Sequence, residues 1–173
     1  LKAEAAERAG FETFMLKEIH EQPRVLRTLL AAHVDKSGAV NLGEAEALVA
    51  AQAKTAQRIL ILSCGTAYYA GMYGRLLLER WTGLPCETDL GSEFRYREPR
   101  LPAHTLAIAV SQSGETADTL ASVRLAREMG CPVASICNVP GSTLLRESDA
   151  ALLTQAGPEI GVASTKAFTA QLM

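Results

Sequence analysis

The sequence has little of what marks the commoner catalytic and metal centres. Its three histidines, His20, His33 and His104, are scattered without metal-ligand spacing, so each reads as a surface or structural residue. The four cysteines, Cys64, Cys86, Cys131 and Cys137, contain no CxxC pair and read as reduced, small core-type residues of a cytoplasmic protein. There is no GxGxxG after the first apolar run, no Walker-type GK[ST] and no GxSxG elbow, which argues against a dinucleotide or a nucleoside triphosphate. No apolar run approaches the roughly 20 residues needed to span a bilayer. Glu4, Glu7 and Arg8 interrupt any signal-peptide core at the N-terminus. A formal charge of -2 leaves no electrostatic footprint for nucleic acid or for an acidic membrane.

What is present describes an ordinary globular protein. The chain has 173 residues and is 48% apolar, long enough for a substantial core. It begins at Leu1 and stops at Met173 inside a helix-like run, so it is expected to be part of a longer protein.

Residues 1–34 read as helix, with Phe11, Phe14, Met15 and Ile19 giving one apolar face. Pro23 is expected to break this run at Gln22, with a second helix over 24–34. Such an arm, assigned to residues 1–40, must pack on the main domain (residues 41–173) or on a second copy. Residues 35–39 read as a linker. Asn41 followed by Glu44 predicts a capping box for a helix to about Ala56.

Beyond residue 57 strand and helix alternate. Apolar runs at 58–63, 105–110 and 132–137 predict buried strands, with a weaker edge strand at 86–90 and a fifth at 150–154. Helices are predicted to Trp81, at 92–96, from 117 to 129 with Ala117, Ala121, Leu125 and Met129 on one face, at 142–147, and from Val162 onward. Gly71 and Gly74 would allow close approach to the sheet, and Gly83 and Gly130 stand where helices end. The fold class is therefore α/β: a three-layer αβα sandwich around a five-stranded parallel sheet in the flavodoxin-like order 2-1-3-4-5, preceded by a helical arm.

In such sheets ligands bind beyond the strands' carboxyl ends where the strand order reverses. Two turns there have suitable chemistry. One is Cys64-Gly65-Thr66 after the first strand. The other is SQSGET, residues 111–116, after the third. Ser111, Ser113 and Thr116 supply hydroxyl donors at a helix start, where free N–H groups and the helix dipole favour an anion. Singly, each could be a cap or a turn former. Together they point to a phosphate cradle. Glu115 is expected to point away and cap, since its charge would repel phosphate. Cys64 reads as a turn residue rather than a nucleophile, Thr66 as either N-cap or ligand contact, and Lys166 as solvated surface or an anion-steering cation.

Six stretches resemble the sugar isomerase (SIS) family, and within it the isomerase domains of the glutamine–fructose-6-phosphate aminotransferases. They are FMLKEIHEQP (14–23), CGT (64–66), SEFRYR (92–97), SQSGETADT (111–119), ICNVPG (136–141) and EIGVASTKAF (159–168). The resemblance implies a first SIS subdomain that binds fructose 6-phosphate or glucosamine 6-phosphate without metal or organic cofactor. Ser111, Gln112, Ser113 and Thr116 would hold the phosphate, and Cys64, Gly65, Thr66 and Val162 would line the sugar. It also implies a second SIS subdomain and a glutaminase domain as partners in the full-length protein, and a homodimer. The family's catalytic glutamate, histidine and lysine map onto nothing here, so the chain alone is expected to be inactive. Ala67 stands where the family commonly has serine, which leaves room for a paralogous isomerase or deaminase, or a sugar-phosphate-responsive regulator. An FMN-binding flavodoxin-like domain is a third alternative.

Overall fold

The strands are short apolar runs because both of their faces are covered. β1 (Arg58–Ser63), β2 (Cys86–Leu90), β3 (Thr105–Ser111), β4 (Val133–Cys137) and β5 (Ala150–Leu153) pair in parallel in the order β2-β1-β3-β4-β5. The computed structural model describes residues 7–173, and the part of the predicted first helix before residue 7 lies outside them. Around the sheet run α1 (Phe14–His33), α2 (Ala45–Thr55), α3 (Thr66–Thr82), α4 (Gly91–Phe94), α5 (Ala117–Glu128), α6 (Thr143–Glu147) and α7 (Lys166–Leu172).

Alternate residues of β1 serve the two faces. Leu60 and Leu62 join Phe94, Leu120, Val123 and Leu144 on the α5 side. Ile59 and Ile61 join Ala67, Cys86 and Val110 on the α3 side. On that side a Cβ at Gly71 would sit 3.0 Å from Ile61 Cγ2 and 3.1 Å from Thr88 Oγ1, so the close approach expected there is real. At Gly74 the corresponding contact is an ordinary 3.9 Å.

Several local expectations are corrected. α1 runs unbroken through Pro23. Proline removes the N–H that would reach the Ile19 carbonyl, and the Gln22 side-chain amide donates to that carbonyl instead, at 2.9 Å. The helix starts at Phe14, where the Thr13 hydroxyl accepts from Leu16 N. There is no capping box at 41–44: Asn41 Oδ1 accepts from Gly43 N, a local turn, and α2 begins only at Ala45. Residues 35–39 form a tight turn, with Asp35 Oδ1 accepting from Ser37 N and Ala39 N and a bridge joining Val34 to Val40. On α5 the buried residues are Thr119, Leu120, Ser122, Val123 and Ala126, with Ala117 and Met129 exposed. Apolarity alone misplaced the stripe because Ser122 is buried as a satisfied polar residue, donating to Asp118 O and Gly91 O.

The helical arm packs onto the rest of the chain. Val25 and Leu29 of α1 bury against Ala156, Ala167 and Ala170. Beside them Lys166, only 3% exposed, places Nζ 2.5 Å from Glu21 Oε2. It is therefore neither solvated surface nor an anion-steering group. Burial raises the Glu21 pKa, but the hydrogen bond and charge of Lys166, then Lys17 and Arg24, outweigh it and leave the group below its ordinary 4.5.

Two predictions follow from α1. Gln22→Ala should cost about 1 kcal/mol in chemical denaturation, and in a Pro23→Ala background, where the backbone N–H is restored, the same change should be close to neutral. For Glu21 the folded pKa is depressed, so its contribution is complete above about pH 4.5 and fades as pH falls through the folded value. Glu21→Gln should destabilise by about 3 kcal/mol at pH 7, because it strands a buried lysine. In pH-dependent denaturation that difference should shrink toward acid pH.

Candidate functional site

β1 and β3 lie side by side, with Ser63 opposite Val110, so the turns that follow them leave the sheet together. The strand order reverses between these two strands, since β1 is followed outward by β2 and β3 by β4. A cleft of about 170 Å³ opens there.

The first wall is the β1–α3 turn. Gly65 adopts φ 57, ψ -134, a conformation that side chains disfavour, and so swings the chain from strand into helix. It shapes the turn without lining the cleft, whereas Cys64 and Thr66 line it. Gly65 is the N-cap, so Thr66 is the first helical residue and its hydroxyl remains available to the cleft. Cys64 is a free thiol whose sulfur lies 3.0 Å from where a Cβ of Gly91 would sit, packed as a turn residue. Ala67 lines the cleft too, its methyl continuous with the apolar cluster beneath α3.

The second wall is the 111–116 loop. Ser111, Gln112, Ser113 and Thr116 all line the cleft. The loop is held open by its own bonds: Ser111 Oγ accepts from Gly114 N at 2.9 Å and Ser113 Oγ from Glu115 N at 3.2 Å. Both serines thus act as turn formers, yet each keeps its O–H to donate. Gly114 has φ +67, and a Cβ on it would fall 2.3 Å from Ser142 Oγ. Leu144 N donates to its carbonyl at 3.0 Å. Thr116 is the N-cap of α5, and no side chain caps the N-terminus of α5 or of α3. First-turn N–H groups have no partner a full helical turn back, and of those in α3 Tyr68 N donates to the Gly65 carbonyl at 3.1 Å.

Glu115 is turned away and caps the next helix, with Oε1 accepting from Thr143 N at 2.7 Å. That bond holds its carboxyl below the ordinary carboxylate range. The cations of the 92–97 stretch are engaged elsewhere, Arg95 with Asp118 at 2.8 Å and Arg97 with Asp89. No lysine, arginine or histidine lines the cleft among the described residues, and they hold no cluster of histidine, cysteine and carboxylate suited to a metal ion.

The third wall corrects the sequence reading. The last helix begins at Lys166, not Val162. Residues 159–165 are an irregular strap that lays Glu159, Gly161, Val162 and Ser164 along the cleft. The helix starts late because the Glu159 carboxylate caps it, accepting from Thr165 N (2.9 Å), Ala167 N (3.2 Å) and Ser164 Oγ (2.8 Å). The only carboxylate that lines the cleft among the described residues is therefore engaged in holding the strap.

Glu159, Gly161, Ser164, Thr119 and Gln171 were not singled out as site residues from the sequence. Thr119 has a signal in principle, standing three residues after Thr116 on one helix. It is 1% exposed, and its Oγ1 has no protein partner, nor does Gln171 Oε1. Orphan polar atoms on a cleft are what a polar ligand or ordered water would satisfy. The arrangement offers hydroxyls and helix N-termini without a net cation. That chemistry suits a small, hydroxyl-rich anion.

A model of the SIS domain matches residues 53–173. The chain is 54% identical over 169 residues to a glutamine–fructose-6-phosphate aminotransferase (isomerizing) of Symbiobacterium thermophilum, covering 97% of this chain and 28% of the relative. It is 50% identical over 171 residues to the enzyme of the same description from Streptomyces coelicolor, covering 99% of this chain and again 28% of the relative. The chain thus spans little more than a quarter of the curated relatives it matches. Among solved structures, the C-terminal domain of glucosamine-fructose-6-phosphate aminotransferase from Francisella tularensis superposes with a TM-score of 0.87 at 40% identity, over 95% of this chain and 46% of that one. A family match that takes in every strand, with such identity along nearly the whole chain, makes this protein a member of the SIS domain family.

Proposed function

We propose that the chain is the sugar-phosphate-binding first SIS subdomain of a glutamine–fructose-6-phosphate aminotransferase of the isomerising type. It binds fructose 6-phosphate or glucosamine 6-phosphate. Ser111, Gln112, Ser113 and Thr116 take the phosphate, and Cys64, Thr66 and Val162 flank the sugar, with Gly65 shaping the turn between them. The observation that carries this reading is the convergence of two helix N-termini and three hydroxyl-bearing loop residues on one cleft at the strand-order reversal.

The reading invokes no metal or organic cofactor. Aldose–ketose interconversion needs a group within hydrogen-bond reach of the protons on the first two sugar carbons. Glu159, the one carboxylate that lines the cleft among the described residues, is occupied by the strap. Turnover is therefore assigned to parts of a longer protein, in which a second SIS subdomain, a glutaminase domain and a second copy of the chain would be partners. A 1–40 arm and a 41–173 binding domain, in the cytoplasm, complete the proposal. Four free cysteines and the lack, among the described residues, of a helix long and apolar enough to cross a membrane are compatible with that compartment.

Ala67 favours a second reading, a paralogous phosphosugar isomerase or deaminase or a regulator. The residue sits on the cleft wall, where a serine would add a donor.

Titration with fructose 6-phosphate, glucosamine 6-phosphate and inorganic phosphate, followed by amide chemical shifts, tests the proposal. The 111–116 amides should move with all three ligands, and the two sugar phosphates should bind more tightly than inorganic phosphate. A loop unmoved by any of them defeats the binding claim, and turnover by the chain alone defeats the assignment of catalysis elsewhere. A paralogue would instead prefer a different sugar phosphate. Ser113→Ala should weaken binding roughly ten- to hundredfold, the loss of one hydrogen bond to a charged group. Gly114→Ala should abolish binding and lower stability, since φ +67 and the 2.3 Å approach to Ser142 Oγ leave no room for a methyl group.

A further inference from the structure

The three walls of the cleft are held by different means. The 111–116 loop is organised by its own serines and by α6. The strap belongs to no helix or strand, yet it is firmly held, and much of what holds it comes from α1, some 140 residues earlier. Glu18 is 2% exposed, and its Oε1 accepts from Ile160 N at 2.6 Å and from Gly161 N at 3.2 Å, while Oε2 lies 3.1 Å from Gly161 N. One turn further along the same face of α1, Glu21 pairs with Lys166 at the far end of the strap. Between these two anchors Val162 stands fully exposed at the apex.

We propose that Glu18 is a positioning residue for the sugar side of the cleft: through the Ile160 and Gly161 amides it sets where Gly161 and Val162 stand, and thereby the affinity for the sugar part of the ligand. The inference rests on the sugar-phosphate reading above. A buried carboxylate must be hydrogen-bonded to be tolerated, and here its acceptor capacity is directed at the backbone of the cleft wall. The fit is close. A Cβ on Gly161 would come within 2.6 Å of Glu18 Oε2, so the carboxylate occupies the place a side chain would take. Helix and strap therefore form a matched pair, and a shift of either moves the wall. Among the described residues the hydrogen bonds of Glu18 go to the strap and not to the phosphate loop, which should be indifferent to it.

A two-ligand measurement on the 173-residue chain tests this. Glu18→Ala is expected to weaken fructose 6-phosphate about tenfold, the cost of leaving the strap to be ordered on binding, with inorganic phosphate affinity unchanged and with shifts in the Gly161 and Val162 amides. Glu18→Gln keeps an oxygen for both N–H groups and should recover most of the loss. Gly161→Ala leaves the sequence of α1 intact and displaces the strap by crowding the Glu18 carboxylate; it should show the same split between ligands, and decides the matter if Glu18→Ala does not fold. Variants that bind fructose 6-phosphate like the parent, or that weaken both ligands equally, overturn the inference. If the parent chain binds neither ligand, the sugar-phosphate reading fails, and the inference with it.

Discussion

The pairing of β1 with β3 is the constraint on which the rest of the molecule depends. In a parallel sheet every strand delivers its carboxyl end to the same side, and each following helix must cross to one face or the other. Where neighbouring strands send their helices to opposite faces, the two turns separate and leave a crevice between them. Ser63 lies opposite Val110 at that place, with α3 departing on the Ile59–Ile61 side and α5 on the Leu60–Leu62 side. Both helix N-termini then border one space. Without that adjacency, hydroxyls on the two turns would be unrelated caps.

The electrostatics of the site follow from where charges have been sent. Four charged side chains near the cleft are engaged: Glu115 with α6, Arg95 with Asp118, Glu159 with the start of α7 and Lys166 with Glu21. What remains are hydroxyls and backbone N–H groups, donors of partial charge that need no counter-ion when the cleft is empty. A bound anion would meet a set of fixed dipoles, with no flexible cation to be ordered first. The α1 carboxylates fit this picture, since they act on backbone and on a buried lysine without facing the ligand themselves.

Much of the architecture was legible because its causes are local. The runs at 58–63 and 105–110 have uninterrupted apolar interiors, Ile59 to Leu62 and Leu106 to Val110, as strands covered on both faces must, and glycines at 83 and 130 end helices by taking a left-handed conformation. The weak pattern of 86–90 announced an edge strand. The readings that failed depended on side chains whose partners pattern cannot show. Pro23 carries a helix-breaking signal, but Gln22 supplies the missing donor. Asn41 and Glu44 have capping-box spacing, but Asn41 is drawn into a turn one residue too early. Lys166 has the composition of a surface residue and the environment of a core one.

The candidate site divides along the same line. The cleft-lining residues Ser111, Gln112, Ser113, Thr116, Cys64 and Thr66 could be named from sequence alone, because strand, turn and helix start are contiguous there and a run of hydroxyls at a helix N-terminus has a physical meaning of its own. That Thr119 is a buried, unpartnered hydroxyl on the cleft, that 159–165 is a strap and not helix, and that Glu18 holds it, were decided by tertiary structure. Each depends on groups that meet across distant parts of the chain, 142 residues apart for Glu18 and Ile160. Chain connectivity determines which turns exist. Packing determines which atoms of other elements complete them.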